Sequence, residues 1–144
     1  MMNHQMDEKI AKAITVLKTA KIVEKKEGKF SVDHAFRGQI AAFGAAVTMG
    51  SLCSAVAFFS KKGSADVDRQ HLMDAIYMML TDKETVSETE NLLYYVTEHR
   101  EEKRLKEEIL MNAAALKLAM NAYYLEKNKT NTDQNPSEKA GDEE

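Results

Sequence analysis

GQIAAFGAAVTMGSLCSAVAFFS, residues 38–60, is the stretch on which the fold turns. It runs twenty-three residues without a charge, between Arg37 and the Lys61-Lys62 pair. A helix of that length could span a bilayer. Its content points elsewhere. Between Ile40 and Phe59 stand six alanines, two glycines, two serines and a threonine, leaving few large side chains to meet lipid. A helix apolar on all sides is expected at the centre of a bundle, where flanking helices cover it. Ala41, Ala45, Gly50, Ser54 and Ala57 would let those neighbours approach, with Phe43, Met49, Leu52, Phe58 and Phe59 filling the gaps. On this reading Ala57→Glu buries an unpaired charge and unfolds the domain. Gly63 closes the helix behind two lysines, which suit a helix C-terminus.

Working outward, Ile10, Ala13, Ile14, Leu17 and Ala20 recur at spacings of three and four, which predicts a helix from about Asp7 to Glu24. Gly28 reads as its stop signal, and Lys29–Asp33 as a connector, extended at Phe30–Val32. On the other side, Asp66 is a good N-cap for a helix reaching Thr81, with Leu72, Met73, Ile76, Met79 and Leu80 on its apolar face. Ser87-Glu88-Thr89-Glu90 reads as a capping box ahead of Leu92, Leu93 and Val96. Thr97–Arg104 holds no apolar residue and fits either a solvated piece of helix or a break. Leu105, Ile109, Ala113, Leu116, Met120 and Tyr123 then mark a last helix. The expected fold class is all-α: a compact bundle of about five helices around the central apolar one. Residues 1–126 would form a single domain, and residues 127–144 a disordered acidic tail.

Composition narrows the function. Of a net charge of −3 over 144 residues, the tail carries −2, from three lysines against five acids. The body is nearly neutral, so binding to a polyanion requires basic residues gathered on one face. Cys53 is the only cysteine, which excludes an intramolecular disulfide and fits a reducing compartment. Met1–Lys9 has no apolar signal-peptide core, and the cytoplasm is the expected location. His4, His34, His71 and His99 are scattered, none with a second ligand at metal-binding spacing. No phosphate loop or nucleophile elbow is present, and the paired carboxylates Asp66/Asp68 and Glu107/Glu108 read as caps and solvated faces. The expectation is a binding protein, not an enzyme, with no metal and no cofactor.

Basic residues are the remaining candidates. Arg37, Lys61 and Lys62 stand free of acids on the uncharged side of each. Lys117 interrupts the apolar and small stretch Ala113–Ala122. Arg104 belongs to a denser cluster with Arg100, Lys103 and Lys106, diluted by Glu98, Glu101, Glu102, Glu107 and Glu108, where pairing within the helix is expected.

The central run resembles the small helical subunit of the Cmr-type (type III-B) CRISPR RNA-guided effector complex. Phe43-Gly44-Ala45-Ala46-Val47-Thr48-Met49-Gly50-Ser51-Leu52 runs in step with the first part of that family's central helix. Cys53-Ser54-Ala55-Val56-Ala57-Phe58-Phe59-Ser60-Lys61-Lys62-Gly63 follows its second part without a gap. Glu108 followed by Ala115-Leu116-Lys117-Leu118-Ala119-Met120-Asn121-Ala122 is similar to the family's last helix. The family's proline is Gly44 here, its Asn-Gly is Gly50-Ser51, its glutamine is Ser54, and its frequent tryptophan is Ala115. The resemblance implies a non-catalytic subunit of an antiviral defence complex. It would stack with copies of itself beside the guide-bearing backbone subunits. It would contact target RNA, and secondarily guide RNA, through phosphates, with Arg37, Lys61, Lys62, Arg104 and Lys117 as the candidate contacts. The alternative is a helical protein–protein adaptor or oligomeric bundle unrelated to nucleic acid.

Overall fold

The computed structural model describes residues 2–60 and 69–126. In chain order these form α1 (Met2–Thr19), β1 (Val23–Lys26), β2 (Lys29–Asp33), α2 (Ala35–Met49), α3 (Leu52–Phe59), α4 (Gln70–Thr81), α5 (Leu92–Glu98) and α6 (Leu105–Ala119). A 3₁₀ turn at Met120–Ala122 and β3 (Tyr124–Glu126) complete them. The fold is mostly helical but not all-α, because three strands join in the order β1-β2-β3.

The first helix stops short of its predicted end. Lys21 takes a positive φ of 67°, and the β-branched pair Ile22-Val23 turns inward to the core. Val23 then pairs with Val32, and Lys26 with Lys29, closing a hairpin around Glu27-Gly28. Both loop residues have positive φ, 51° and 81°, the two-residue turn whose twist matches that of the strands. Gly28 therefore serves a hairpin, not a helix end. β3 lies parallel to β2, Val32 opposite Leu125, so helices α2 to α6 form the crossover between adjacent strands. The sheet ties the beginning of the domain to its end.

The expected central helix is neither continuous nor central. α2 ends at Met49, Gly50 is extended (φ −133°, ψ −153°), and the Ser51 hydroxyl accepts from the Ser54 N–H at 3.0 Å to cap α3. The Phe43 and Phe59 rings meet edge to face at 5.4 Å, packing the two pieces against each other. Among the described residues, no helix is long and apolar enough to cross a membrane. Phe36, Ile40, Phe43 and Val47 are buried at spacings of four, three and four, followed by Ala55, Val56 and Phe59. Gly38, Ala41, Ala42, Ala45, Thr48, Met49, Ser54, Ala57 and Phe58 face solvent. The expectation for Ala57→Glu is overturned with the placement, since that side chain is exposed and its replacement buries no charge.

The centre belongs to α4 and α6. In α4, Leu72, Met73, Ala75, Ile76, Tyr77, Met78 and Met79 are buried, while Leu80 is partly buried. In α6 the predicted stripe holds: Leu105, Ile109, Ala113, Leu116 and Met120 are buried, and Tyr123 is half-buried behind them. Ala13 and Leu17 of α1 complete this core. Lys12 donates from Nζ to the Met79 carbonyl at 2.8 Å and pairs with Asp82, placing a cation at the C-terminus of α4. The helix stops there, as read from the sequence, because Asp82 turns left-handed (φ 63°).

Thr97–Arg104 is a break: α5 ends at Glu98, and the His99 ring stacks back on Tyr95 at 4.1 Å. The capping box is corrected by four residues. Ser87 Oγ does accept from the Glu90 N–H, but Asn91 caps α5, accepting from the Tyr94 N–H. Glu90 pairs with Lys83 at 3.5 Å, and that carboxylate holds the Lys83 pKa above its ordinary value. The Asp66 cap and the predicted tail lie outside the described residues.

Candidate nucleic-acid interface

Two contacts orient α2 against α6. At one end, Arg37 donates from an η nitrogen to Asn121 Oδ1 at 2.7 Å. At the other, Lys106 Nζ reaches the Gly50 carbonyl at 3.4 Å, meeting the exposed C-terminal end of α2 with a cation. The helices are therefore antiparallel. Lys117 stands in the last turn of α6, just before the 3₁₀ turn whose Asn121 Arg37 touches. Both cations are half-buried, and neither makes an ion pair among the described residues. The structure thus brings Arg37 and Lys117 to one end of the α2–α6 seam.

Arg104 is separated from them. It precedes α6 at the opposite end, about 20 Å from Lys117 along the helix axis at the usual rise per residue. Its side chain is 88% exposed, with Nε 3.6 Å from Glu107. It borders a cleft of about 320 Å³ that Gln5, Lys9, Glu107, Glu108 and Met111 also line. Two cations face two carboxylates there, so the cleft does not concentrate positive charge. An exposed pair of this kind contributes about 0–1 kcal/mol. Lys61 and Lys62 lie outside the described residues.

The N-terminus of α2 is already occupied. Asp33 Oδ1 accepts from the Ala35 N–H at 2.8 Å, so a carboxylate sits where an anion would otherwise bind. Across the sheet Asp33 pairs in register with Glu126. Phosphate contacts at this end would fall to the Arg37 and Lys117 side chains, not to the helix terminus.

Along α2 and α3 runs an exposed face formed by their own uncharged side chains. Met49 is 86% and Phe58 60% exposed, among exposed alanines, glycine, threonine and serine. The Arg69 guanidinium stands over both Phe58 and Phe59, at 4.9 and 5.0 Å. Cys53, expected in the core, is half-buried at its edge and directs Sγ toward the Val96 carbonyl at 3.8 Å. Among the described residues, no group of three or more His, Cys, Asp or Glu could hold a metal ion.

Two features escaped the sequence reading. Asn112 is fully buried in α6 and accepts from Lys9 Nζ at 3.0 Å, while its Nδ2 has no partner among the described residues. An asparagine among alanines gave no hint of this tie between α1 and α6. The other is the gathering of lysines and aromatic rings around the hairpin. It was hidden because Lys21–Glu24 read as helix. Beside it, the Tyr123 hydroxyl donates to the Ile14 carbonyl at 2.7 Å, and burial pushes its pKa up, keeping the proton that the bond needs.

No family model, curated protein or solved structure matches the chain.

Proposed function

We propose that this chain is a non-catalytic subunit of an RNA-guided effector assembly of the Cmr (type III-B) kind. It stacks on neighbouring subunits and holds target RNA by its phosphates. The observation that carries the reading is the uncharged exposed face of α2 and α3. It lies within the stretch whose sequence resembles the Cmr small subunit. Met49 and Phe58 stand exposed there, with the Arg69 guanidinium over Phe58, and methionine, phenylalanine and arginine are the residue types enriched where subunits meet. Arg37 and Lys117 at one end of the same helix pair supply positive charge where a phosphate backbone would pass. Phosphate contacts position an RNA without reading it, which suits an assembly in which a guide supplies the sequence.

Affinity purification of the tagged chain from its native cells tests the reading, with mass spectrometry and RNA sequencing of what accompanies it. Larger RNA-guided subunits and short guide RNAs are expected. Recovery of unrelated proteins without guide RNA would reject the assignment in favour of the adaptor. Within the recovered complex, replacing Arg37 and Lys117 together with alanine should reduce RNA retention more than Arg104→Ala does. Equal retention in the two variants and the unaltered complex would remove the seam from the proposal.

A further inference from the structure

A second group of cations stands at the hairpin, outside the α2–α3 face. Residues 18–30 hold five lysines and two glutamates in a chain whose net charge is −3. Lys18 stands in the last turn of α1, Lys21 in the link, Lys25 on β1 and Lys29 on β2, and all four are exposed. Three of them stand over aromatic rings. Lys18 Nζ lies 4.4 Å from the centroid of Phe30 and 6.0 Å from that of Tyr123, and Lys25 Nζ lies 5.7 Å from Phe30. Lys29 Nζ stands 5.1 Å from the Tyr124 centroid. Phe30 is 45% and Tyr124 58% exposed.

Closing the hairpin does not require this arrangement. The turn is made by Glu27 and Gly28, and the sheet is anchored to the core by Val23 and Val32, both buried. Phe30 and Lys25 are opposite one another in the ladder, on the face that carries those valines, but beyond the point where the core covers it. Tyr124 is in register with Ser31, so it projects from the other face, with Lys29 over it. The Phe30 side thus presents an open ring with Lys18 and Lys25 at its rim, while the Tyr124 side has Lys29 alone over its ring and shares its face with Glu24, Asp33 and Glu126.

We propose that this hairpin surface binds single-stranded nucleic acid, a base stacking on Phe30 while Lys18 and Lys25 meet the flanking phosphates. Tyr124 and Lys29 would repeat the arrangement where the strand passes round the sheet edge. An aromatic ring accepts the flat face of any base, and lysines accept any phosphate, so the surface selects single strands without selecting sequence. A duplex fits poorly, because its bases are already stacked on one another and cannot reach a ring. Lysines held over a ring by an exposed cation–π contact are weakly bound, and they can swing to a phosphate as the base takes their place. The surface needs no assembly, so it stands or falls apart from the subunit reading. It adjoins that reading physically, since Asn121, held by Arg37, is two residues from Tyr123.

The test uses the purified full chain and a fluorescently labelled fifteen-nucleotide oligouridine, with the same strand in a duplex as comparison, followed by anisotropy. Binding is expected to favour the single strand. Its logarithm should fall with the logarithm of salt with a slope of about −2, as for three phosphates neutralised. Phe30→Ala should weaken binding about tenfold or more, the scale for loss of one stacked base. Phe30→Leu, which keeps the apolar contact without the ring, should weaken it similarly with an unchanged circular dichroism spectrum. Replacing Lys18 and Lys25 with glutamine should make the salt slope shallower. Absence of binding, or equal binding by the wild type, Phe30→Leu and the double glutamine variant, would overturn the proposal. So would Phe30-dependent binding to phosphatidylserine vesicles without binding to oligouridine, which would make the patch a membrane contact.

Discussion

α2 and α6 are each fifteen residues long and lie antiparallel, yet their fates are opposite. α2 carries a single charged residue, Arg37, and buries four side chains. α6 carries four, Lys106, Glu107, Glu108 and Lys117, and buries seven. Absence of charge therefore did not select the buried helix. Ala113, Ala115 and Ala119 in α6 are buried, while Ala41, Ala42 and Ala45 in α2 are exposed. A small residue permits close approach, but it does not supply the neighbour. Among the described residues, α6 has α1, α2 and α4 around it, whereas α2 meets α6, α3 and β2 and leaves one side open.

Substitutions can break that comparison, starting with the largest effect. Phe43→Ala empties a fully buried site that also joins α2 to α3, and should cost about 3–5 kcal/mol in urea unfolding. Leu116→Ala in α6 should cost about 2–5 kcal/mol, so the buried rows of the two helices should prove comparably sensitive. A loss below about 1 kcal/mol at Phe43 would return α2 to the periphery altogether. Next, Ser51→Ala removes the cap of α3 and should cost about 1 kcal/mol, measured the same way. No loss there would argue that α2 and α3 run as one helix.

The smallest effect sharpens the contrast most. Ala45→Glu and Ala57→Glu place a charge on the open face and should change stability by no more than about 0.5 kcal/mol. Unfolding of either variant would restore the buried central helix. If the face is a subunit contact, the same variants should fold normally and yet fail to co-purify with partner subunits.

Much of the fold was legible where large apolar residues recur at helical spacing. Leu105, Ile109, Ala113, Leu116 and Met120 predicted α6, and Leu72, Met73, Ile76 and Met79 predicted the enclosed face of α4. In α2, Phe36, Ile40, Phe43 and Val47 carry the same signal, but the surrounding alanines masked it by making every face look apolar. The hairpin was hidden differently. Ile22 and Val23 continue the stripe of α1 closely enough to read as helix, and Glu27-Gly28 is not the asparagine-glycine pair that announces such a turn. The candidate site was legible only in part. Arg37 and Lys117 stood out as isolated cations, but their arrival at one end of the helix pair depends on the antiparallel packing of α2 and α6, which begin at Ala35 and Leu105.

By itself the sequence determined the helical periodicities, the turn at Asp82, the near-neutral body and the lone thiol, because local spacing and composition carry these. Only the tertiary structure decided that the uncharged run breaks at Gly50-Ser51 and leaves a face in water. It also decided that Arg104 stands about 20 Å from Lys117 along the helix, and that lysines from α1, β1 and β2 converge on Phe30, Tyr123 and Tyr124. Those outcomes depend on which elements find one another. Burial requires a neighbour, and a neighbour distant in the chain leaves no mark in the local pattern.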